Sequence, residues 1–362
     1  MFLRRPCSSR ALRALGSALL LAVAVSGCSG GEQSTSASSV APSSTAPDTT
    51  VVTTTSVPAT TEAPTTTVAP APVYPLTGLP LTDPAVAARP ALVVKIDNAP
   101  GARPQTGMNE ADIVVEEIVN DNLTRFAFVF HSQGSDPVGP IRSGRLQDID
   151  LFSAFNRPLF AWSGGNATVT KAIRASDLVD IGPSRASAYF RSNNRKAPHN
   201  LYSNTTDLWT YAPADAQPPA QQFMYRADGA AVQGEPSAGV ALALDSIDAR
   251  WDWDPAVGLY RRTMEGRVHE DAASGPVTTN NVLVLEMEYA KGISGSPDAQ
   301  TVGSGKAFIF TAGNVVYGTW ARADQRLPFT LTADDGSVIL LTPGRTFIEL
   351  PRQDHTLPLG AA

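Results

Sequence analysis

Asp112-Ile-Val-Val-Glu-Glu-Ile-Val-Asn-Asp-Asn-Leu-Thr-Arg-Phe-Ala-Phe-Val-Phe130 reads as two strands joined by a tight turn. The first, through Val119, is apolar on both faces except for its carboxylates, as expected of a strand covered on both sides. In the second, Thr124, Phe126, Phe128 and Phe130 share one face, and Arg125, Ala127 and Val129 share the other. A three-residue turn at Asn120-Asp121-Asn122 sets Val119 opposite Leu123 and Glu117 opposite Arg125. A turn of two or four residues shifts the register and changes which glutamate the arginine meets. In each case an Arg faces a Glu inside or at the rim of a sheet, as a structural ion pair or as a pair turned toward a ligand.

Around this hairpin the same reasoning predicts strands at Ala91–Asp97 and Pro158–Trp162. It predicts helices at Ser143–Asn156, where Leu146, Ile149, Asp150 and Phe152 fall near helical spacing, and at Ala167–Arg174. The Pro/Ala/Gln-rich stretch Ala212–Gln222 and the Gly/Ala-rich Asp228–Gly239 read as a crossover. Beyond it strands dominate: Val282–Tyr289, Ala307–Thr311, Val315–Trp320, Pro328–Thr332, Val338–Leu341 and Thr346–Leu350. Ala312-Gly313-Asn314 and Asp334-Asp335-Gly336 are turn signals that make this end an antiparallel meander. The expected fold class is α+β, with a mixed-sheet α/β N-terminal domain over 74–225 and a mainly antiparallel β C-terminal domain over 240–355.

Toward the amino end, Arg4 and Arg5 precede an apolar run from Ala18 to Val25, followed by Val25-Ser26-Gly27-Cys28. This is the pattern of a secretory signal of lipoprotein type over 1–27, cleaved before Cys28, whose sulfur carries the lipid. The run is too short to span a bilayer core of roughly 30 Å. From Ser29 to about Val73 the chain is almost entirely Ser, Thr, Ala, Pro and Val. Such a segment cannot offset its ordering entropy, so 28–73 is expected to be a disordered stalk of about 35–40 Å span or more. Cleavage would remove four arginines and no acid, leaving 24 basic and 34 acidic residues and a net charge of −10. That balance argues against nucleic acid as a partner. The acylated Cys28 would be the only remaining cysteine, which excludes a disulfide and thiolate zinc sites and leaves stability to the core.

Two further segments carry candidate chemistry. Gly139-Pro-Ile-Arg142-Ser-Gly-Arg145 precedes the helix expected near Ser143, so an N-cap serine, free amides and two guanidiniums offer a seat for a carboxylate or phosphate. Asn193-Asn-Arg-Lys-Ala-Pro-His199-Asn200-Leu-Tyr202 collects amides, cations, a His and a Tyr suited to a polar ligand such as a sugar or peptide. Other patterns fail. Gly303-Ser-Gly-Lys-Ala307 lacks the Ser/Thr and the first Gly of a P-loop, and His269-Glu-Asp271 has no second His within a helical turn. Ser163-Gly-Gly165 lacks the leading Gly of a nucleophile elbow. Glu116 and Glu117 point to opposite faces and cannot flank one glycosidic bond.

Taken together, the chain resembles the YerB-like lipoprotein family, a family of unknown function (DUF3048) with N- and C-terminal parts. The resemblance rests on Pro75-Leu-Thr-Gly-Leu79, Lys95-Ile-Asp-Asn98, Ala102-Arg-Pro-Gln-Thr-Gly107, Asn109-Glu-Ala-Asp-Ile-Val-Val-Glu116 and Thr124-Arg125. It continues through His131-Ser-Gln133, Gly139-Pro-Ile-Arg-Ser143, Arg195-Lys-Ala-Pro-His-Asn-Leu-Tyr202, Asn281-Val282 and Gly318-Thr-Trp320. Departures are Asp121-Asn122, where the family usually has glycines, and Gly144 in place of Ala. The resemblance implies a membrane-anchored extracytoplasmic protein with an α/β N-terminal part, a β-rich C-terminal part and no established reaction; no cofactor is expected. The expectation is therefore one polar cleft formed by Asp97, Asn98, Arg103, Glu116, Arg125, Arg142, Arg145, His199 and Asn200. It would bind a cell-wall glycan or peptide or an envelope protein, the membrane being held through Cys28. The competing expectation is a cell-wall hydrolase with Glu116 or His199 as acid/base.

Overall fold

The computed structural model describes residues 71–120 and 123–360. The segment expected to be a signal, Cys28, the expected stalk up to residue 70 and the turn residues Asp121 and Asn122 lie outside the described residues. Strands β1 (Leu92–Asp97), β2 (Ile113–Asn120) and β3 (Leu123–Phe130) are followed by helix α1 (Gln147–Phe152), β4 (Leu159–Ala161), helix α2 (Ala167–Ala175) and β5 (Val179–Asp180). The second half contributes β6 (Gly239–Leu244), β7 (Ile247–Asp254), β8 (Leu259–Met264), β9 (Asn281–Leu285), β10 (Gly303–Thr311) and β11 (Asn314–Arg322). It ends with β12 (Thr330–Ala333), β13 (Thr346–Leu350) and β14 (Thr356–Leu359).

The main sheet runs β12-β11-β10-β9-β13-β2-β3-β1-β4-β5. β9 to β12 form the expected antiparallel meander, but β13 returns to lie parallel to both β9 and β2. That one strand joins the strands of both halves into a continuous sheet, and the described residues fall in a single compact unit. A second sheet, β8-β7-β6-β14, was not read from the sequence.

Period-two alternation explains the layering. Leu92, Val94, Ile96, Val114, Ile118, Phe126, Phe128, Phe130 and Phe347 face the second sheet, meeting Val240, Leu242, Trp251 and Tyr260. Val93, Ile113, Val115, Ala127, Val129 and Ile348 face the helical side, meeting Leu151, Phe152, Phe160, Trp162 and Ile173. The architecture is α+β: sheet on sheet on one face, helices on the other. Burying a large apolar side chain in such a core contributes about 1.5–3 kcal/mol. At the edge, the family-motif residue Gly318 lies in β11 where an added Cβ would sit 2.1 Å from the Thr332 carbonyl oxygen. Only hydrogen fits between those backbones.

Boundaries differ where side chains compete for backbone groups. The helix expected from Ser143 begins at Gln147 and runs into a 3₁₀ turn at Ser153–Phe155. Ser143 is not its cap: the Arg145 amide is taken by Asp148 Oδ2 at 2.6 Å. Val338–Leu341 makes only isolated bridges, Thr332 to Val338 and Tyr225 to Leu341, instead of a strand. In the central hairpin Glu117 does oppose Arg125, while Asn120 pairs with Leu123 through a register shift after Ile118.

Candidate functional site: two polar clusters on opposite sheet faces

The alternation that builds the core also divides the residues expected in one cleft. Asn98, Arg103 and Glu116 lie on the side of the second sheet. Asp97, Arg125, Arg142, Arg145 and His199 gather on the helical side.

On the first side, Glu116 is fully buried and pairs with Arg262, a β8 residue that is itself 1 % exposed. Glu116 Oε1 also accepts from Asn98 Nδ2 at 3.1 Å and from Thr124 Oγ1 at 2.5 Å. Arg262 reaches Glu349 of β13 through Nε at 3.3 Å and Nη2 at 3.2 Å, and the Trp251 indole donates to the same Glu349 oxygen at 2.9 Å. Arg262 Nη1 lies 2.8 Å from His269 Nδ1. A guanidinium only donates, so Nδ1 accepts and Nε2–H donates to Gln105 Oε1 at 3.0 Å. Burial, then the charges of Arg262 and Arg103, hold His269 well below the ordinary imidazole value, in keeping with this neutral tautomer. The Gln105 amide then donates to the Asp97 carbonyl and Asn98 Oδ1, and Arg103 Nε also donates to Asn98 Oδ1 at 3.0 Å. Arg103 pairs outward with Glu265.

Every ring nitrogen and most carboxyl oxygens here are used internally, so the cluster is a scaffold joining β2, β8 and β13. The His269-Glu270-Asp271 segment holds its histidine inside this scaffold. Among the described residues no group of three or more metal-ligating side chains forms. The sequence reading missed Arg262 and Glu349. Arg262 occupies an inward position of the alternating strand Tyr260-Arg-Arg-Thr-Met264 and Glu349 lies in Phe347-Ile-Glu-Leu350, which is buried on both faces; a charge at such a position was the available signal.

Burial, opposed by Arg262 and reinforced by Glu116, pushes the Glu349 carboxyl up to about 8. A carboxyl raised from its ordinary value near 4.5 favours the folded state while protonated, and that contribution is lost as pH climbs from about 4.5 through about 8. Glu349→Gln is therefore expected to flatten the fall of unfolding free energy across this window. Denaturant titrations at pH 5, 7 and 9 measure it, the wild-type slope from this group being at most about 1.4 kcal/mol per pH unit. An unchanged slope would remove Glu349 as its source.

On the helical side, Lys95 is fully buried, paired with Glu117 and with Asp148 Oδ1 at 2.7 Å. Burial first and Asp148 second push Glu117 up to about 7. Arg125 does not pair with the opposing Glu117; its Nη1 donates to the Ser143 carbonyl at 3.1 Å. Burial, and then the charge of Arg145, lower Arg125 to about 10, leaving it a cation at neutral pH. Arg142 stands at 3.1 Å from Asp97 Oδ2, and His199 Nδ1 lies 2.6 Å from the same oxygen. Arg145 donates to the Gly144 carbonyl at 3.0 Å and to Asn120 Oδ1 at 2.8 Å. The Nε groups of Arg125 and Arg145 are buried with no hydrogen-bond partner. Asn200 belongs to neither cluster: it accepts from Arg191 at 2.7 Å and donates to the Ser192 carbonyl at 3.2 Å, tying down its own hairpin.

Beside Arg145 a hollow of about 500 Å³ opens, lined also by Ser143, Asn120, Asn166 and Asp298. A second, of about 610 Å³, lies over Arg103, Met264 and His269. No described helix is long and apolar enough to cross a membrane.

With fold and clusters in place, comparison defines the class: the chain belongs to the DUF3048 family of proteins of unknown function, matching its N-terminal domain over residues 76–217 and its C-terminal domain over 240–348. It is similar to the Bacillus subtilis (strain 168) protein named "Putative lipoprotein YerB", 27% identical over 290 residues, covering 74% of this chain and 83% of that protein. The crystal structure of YerB protein from Bacillus subtilis superposes with a TM-score of 0.69 at 26% identity, covering 79% of this chain and 99% of that one.

Proposed function

We propose that this chain is a lipid-anchored protein of the extracytoplasmic cell envelope, tethered through Cys28, whose folded body binds a carboxylate-bearing envelope ligand on its arginine face. The observation that carries this is the gathering of Arg125, Arg142 and Arg145, with the buried Nε groups of Arg125 and Arg145 unpartnered. A buried donor left unpaired costs about 1–3 kcal/mol, and more when charged, which a bound carboxylate would offset through charge-assisted hydrogen bonds. Asp148 already takes the Arg145 amide. The guanidiniums, not the backbone, are therefore what an anion meets. The leader pattern and the name of the B. subtilis relative support this location.

Of the two acid/base candidates, Glu116 is enclosed by Arg262, Asn98 and Thr124. His199, a quarter exposed and held at Nδ1 by Asp97, is the one with access to a substrate. Binding of soluble cell-wall fragments to the full-length chain and to Arg145→Gln separates these readings. Retention by the wild type with at least about ten-fold weaker retention by the variant supports the binding site. Equal retention by both contradicts it, and fragment turnover lost in His199→Gln would replace binding by hydrolysis.

A further inference from the structure

The hollow beside Arg145 has a second charged wall. Asp298 comes from the opposite half of the sequence, in the hairpin Tyr289–Lys291 with Pro297–Ala299, and lines the same space. Gly292 backs it so closely that an added Cβ would lie 3.0 Å from Asp298 Cβ. Arg145 and Asp298 make no ion pair with each other among the described residues; Arg145 is held instead by Gly144 and Asn120, with its Nε buried and without a hydrogen-bond partner. The lining also includes Ser143 and Asn166.

Opposite charges facing one cavity without meeting are each partly desolvated; Arg145 has Glu117 and Asp148 near it and Asp298 a side-chain hydrogen bond with Gln300, but neither has a partner across the hollow, which a ligand with complementary charges would supply. Burial, then Asp150, raises Asp298 above the ordinary carboxyl value, and an ammonium group beside it would counter that shift. We infer that this hollow receives a zwitterionic ligand of amino-acid or short-peptide type, its carboxylate on Arg145 and its ammonium on Asp298. The inference rests on the carboxylate-binding reading and adds the cationic group.

Two series of probes test it on the full-length chain in detergent: ω-amino acids with one to six methylenes, and alkanoates of the same lengths without the amine. Affinities are read from amide chemical-shift titrations, and circular dichroism checks that each variant is folded. At one chain length the zwitterion is expected to bind about ten-fold more tightly than its alkanoate. Asp298→Asn should abolish that preference, whereas Arg145→Gln should weaken both series. Equal affinity of the two series at every length, or a preference that survives Asp298→Asn, overturns the zwitterion assignment while the carboxylate reading stands. If neither series binds, both fall.

Discussion

Replacing Arg262 with methionine is expected to lower the unfolding free energy by about 3–5 kcal/mol, because it removes one partner of a buried ionic cluster and leaves the others uncompensated. Arg262 is the sole cation bonded to both Glu116 and Glu349 among the described residues, and it also fixes the His269 tautomer. Its guanidinium carbon lies 5.1–5.6 Å from the rings of Phe126, Trp251 and Phe347, so those contacts weaken too. In a chain of this size the Tm should fall by on the order of 10 °C. Adding Glu116→Gln and Glu349→Gln to the methionine variant should recover much of the loss, since the stranded carboxyls are the main cost. Chemical denaturation of the three proteins measures both effects. A single variant within about 1 kcal/mol of wild type would show that the cluster does not hold β2, β8 and β13 together.

Lys95→Met is expected to cost a similar amount, again about 3–5 kcal/mol, for the same reason on the other face of the sheet. Without the ammonium, Glu117 and Asp148 face each other in a fully buried space. Asp148 also accepts the Arg145 amide, so disturbance there should reach the loop that carries the arginine face. Loss of stability together with weakened ligand retention is the expected pair of results. The retention must be measured below the denaturation midpoint, where the variant is still folded. Full stability in this variant would mean that water, not the protein, already compensates the two acids.

Much of the fold was legible because alternation is local. The sequence of β3 alone places Phe126, Phe128 and Phe130 on one face and Arg125, Ala127 and Val129 on the other, as found. The strands around the hairpin and the helix at Ala167–Ala175 followed from spacing as well. What was not legible depends on partners distant in sequence. The insertion of β13 between β9 and β2 is a non-local pairing, and nothing in Thr346–Leu350 announces that it is parallel to both neighbours. The start of α1 was misplaced because Asp148 competes with Ser143 for the loop amides.

The candidate site was half legible for a related reason. Glu116 and Arg125 are separated by the same odd–even rule that separates Glu116 from Glu117, so placing them in one cleft ignored the register that the hairpin itself implies. Arg142, Arg145, His199 and Asp97 do meet near Arg125, brought there by the chain returning along β1. Asn200 was drawn in by proximity to His199, yet the two lie in a turn and the Asn200 side chain is held by Arg191 and the Ser192 carbonyl. Asp298 lies more than a hundred residues from Arg145, and Arg262 lies 146 residues from Glu116 and 87 from Glu349.

The most direct test of the arginine face is to follow the side-chain Nε–H signals of the arginines in the full-length protein while acetate is added. Saturable shifts of the Arg125 and Arg145 signals, with the Arg262 signal unmoved because its Nε is bonded to Glu349, are the predicted result. Shifts that grow linearly and equally for exposed arginines, with none at Arg125 and Arg145, would contradict it.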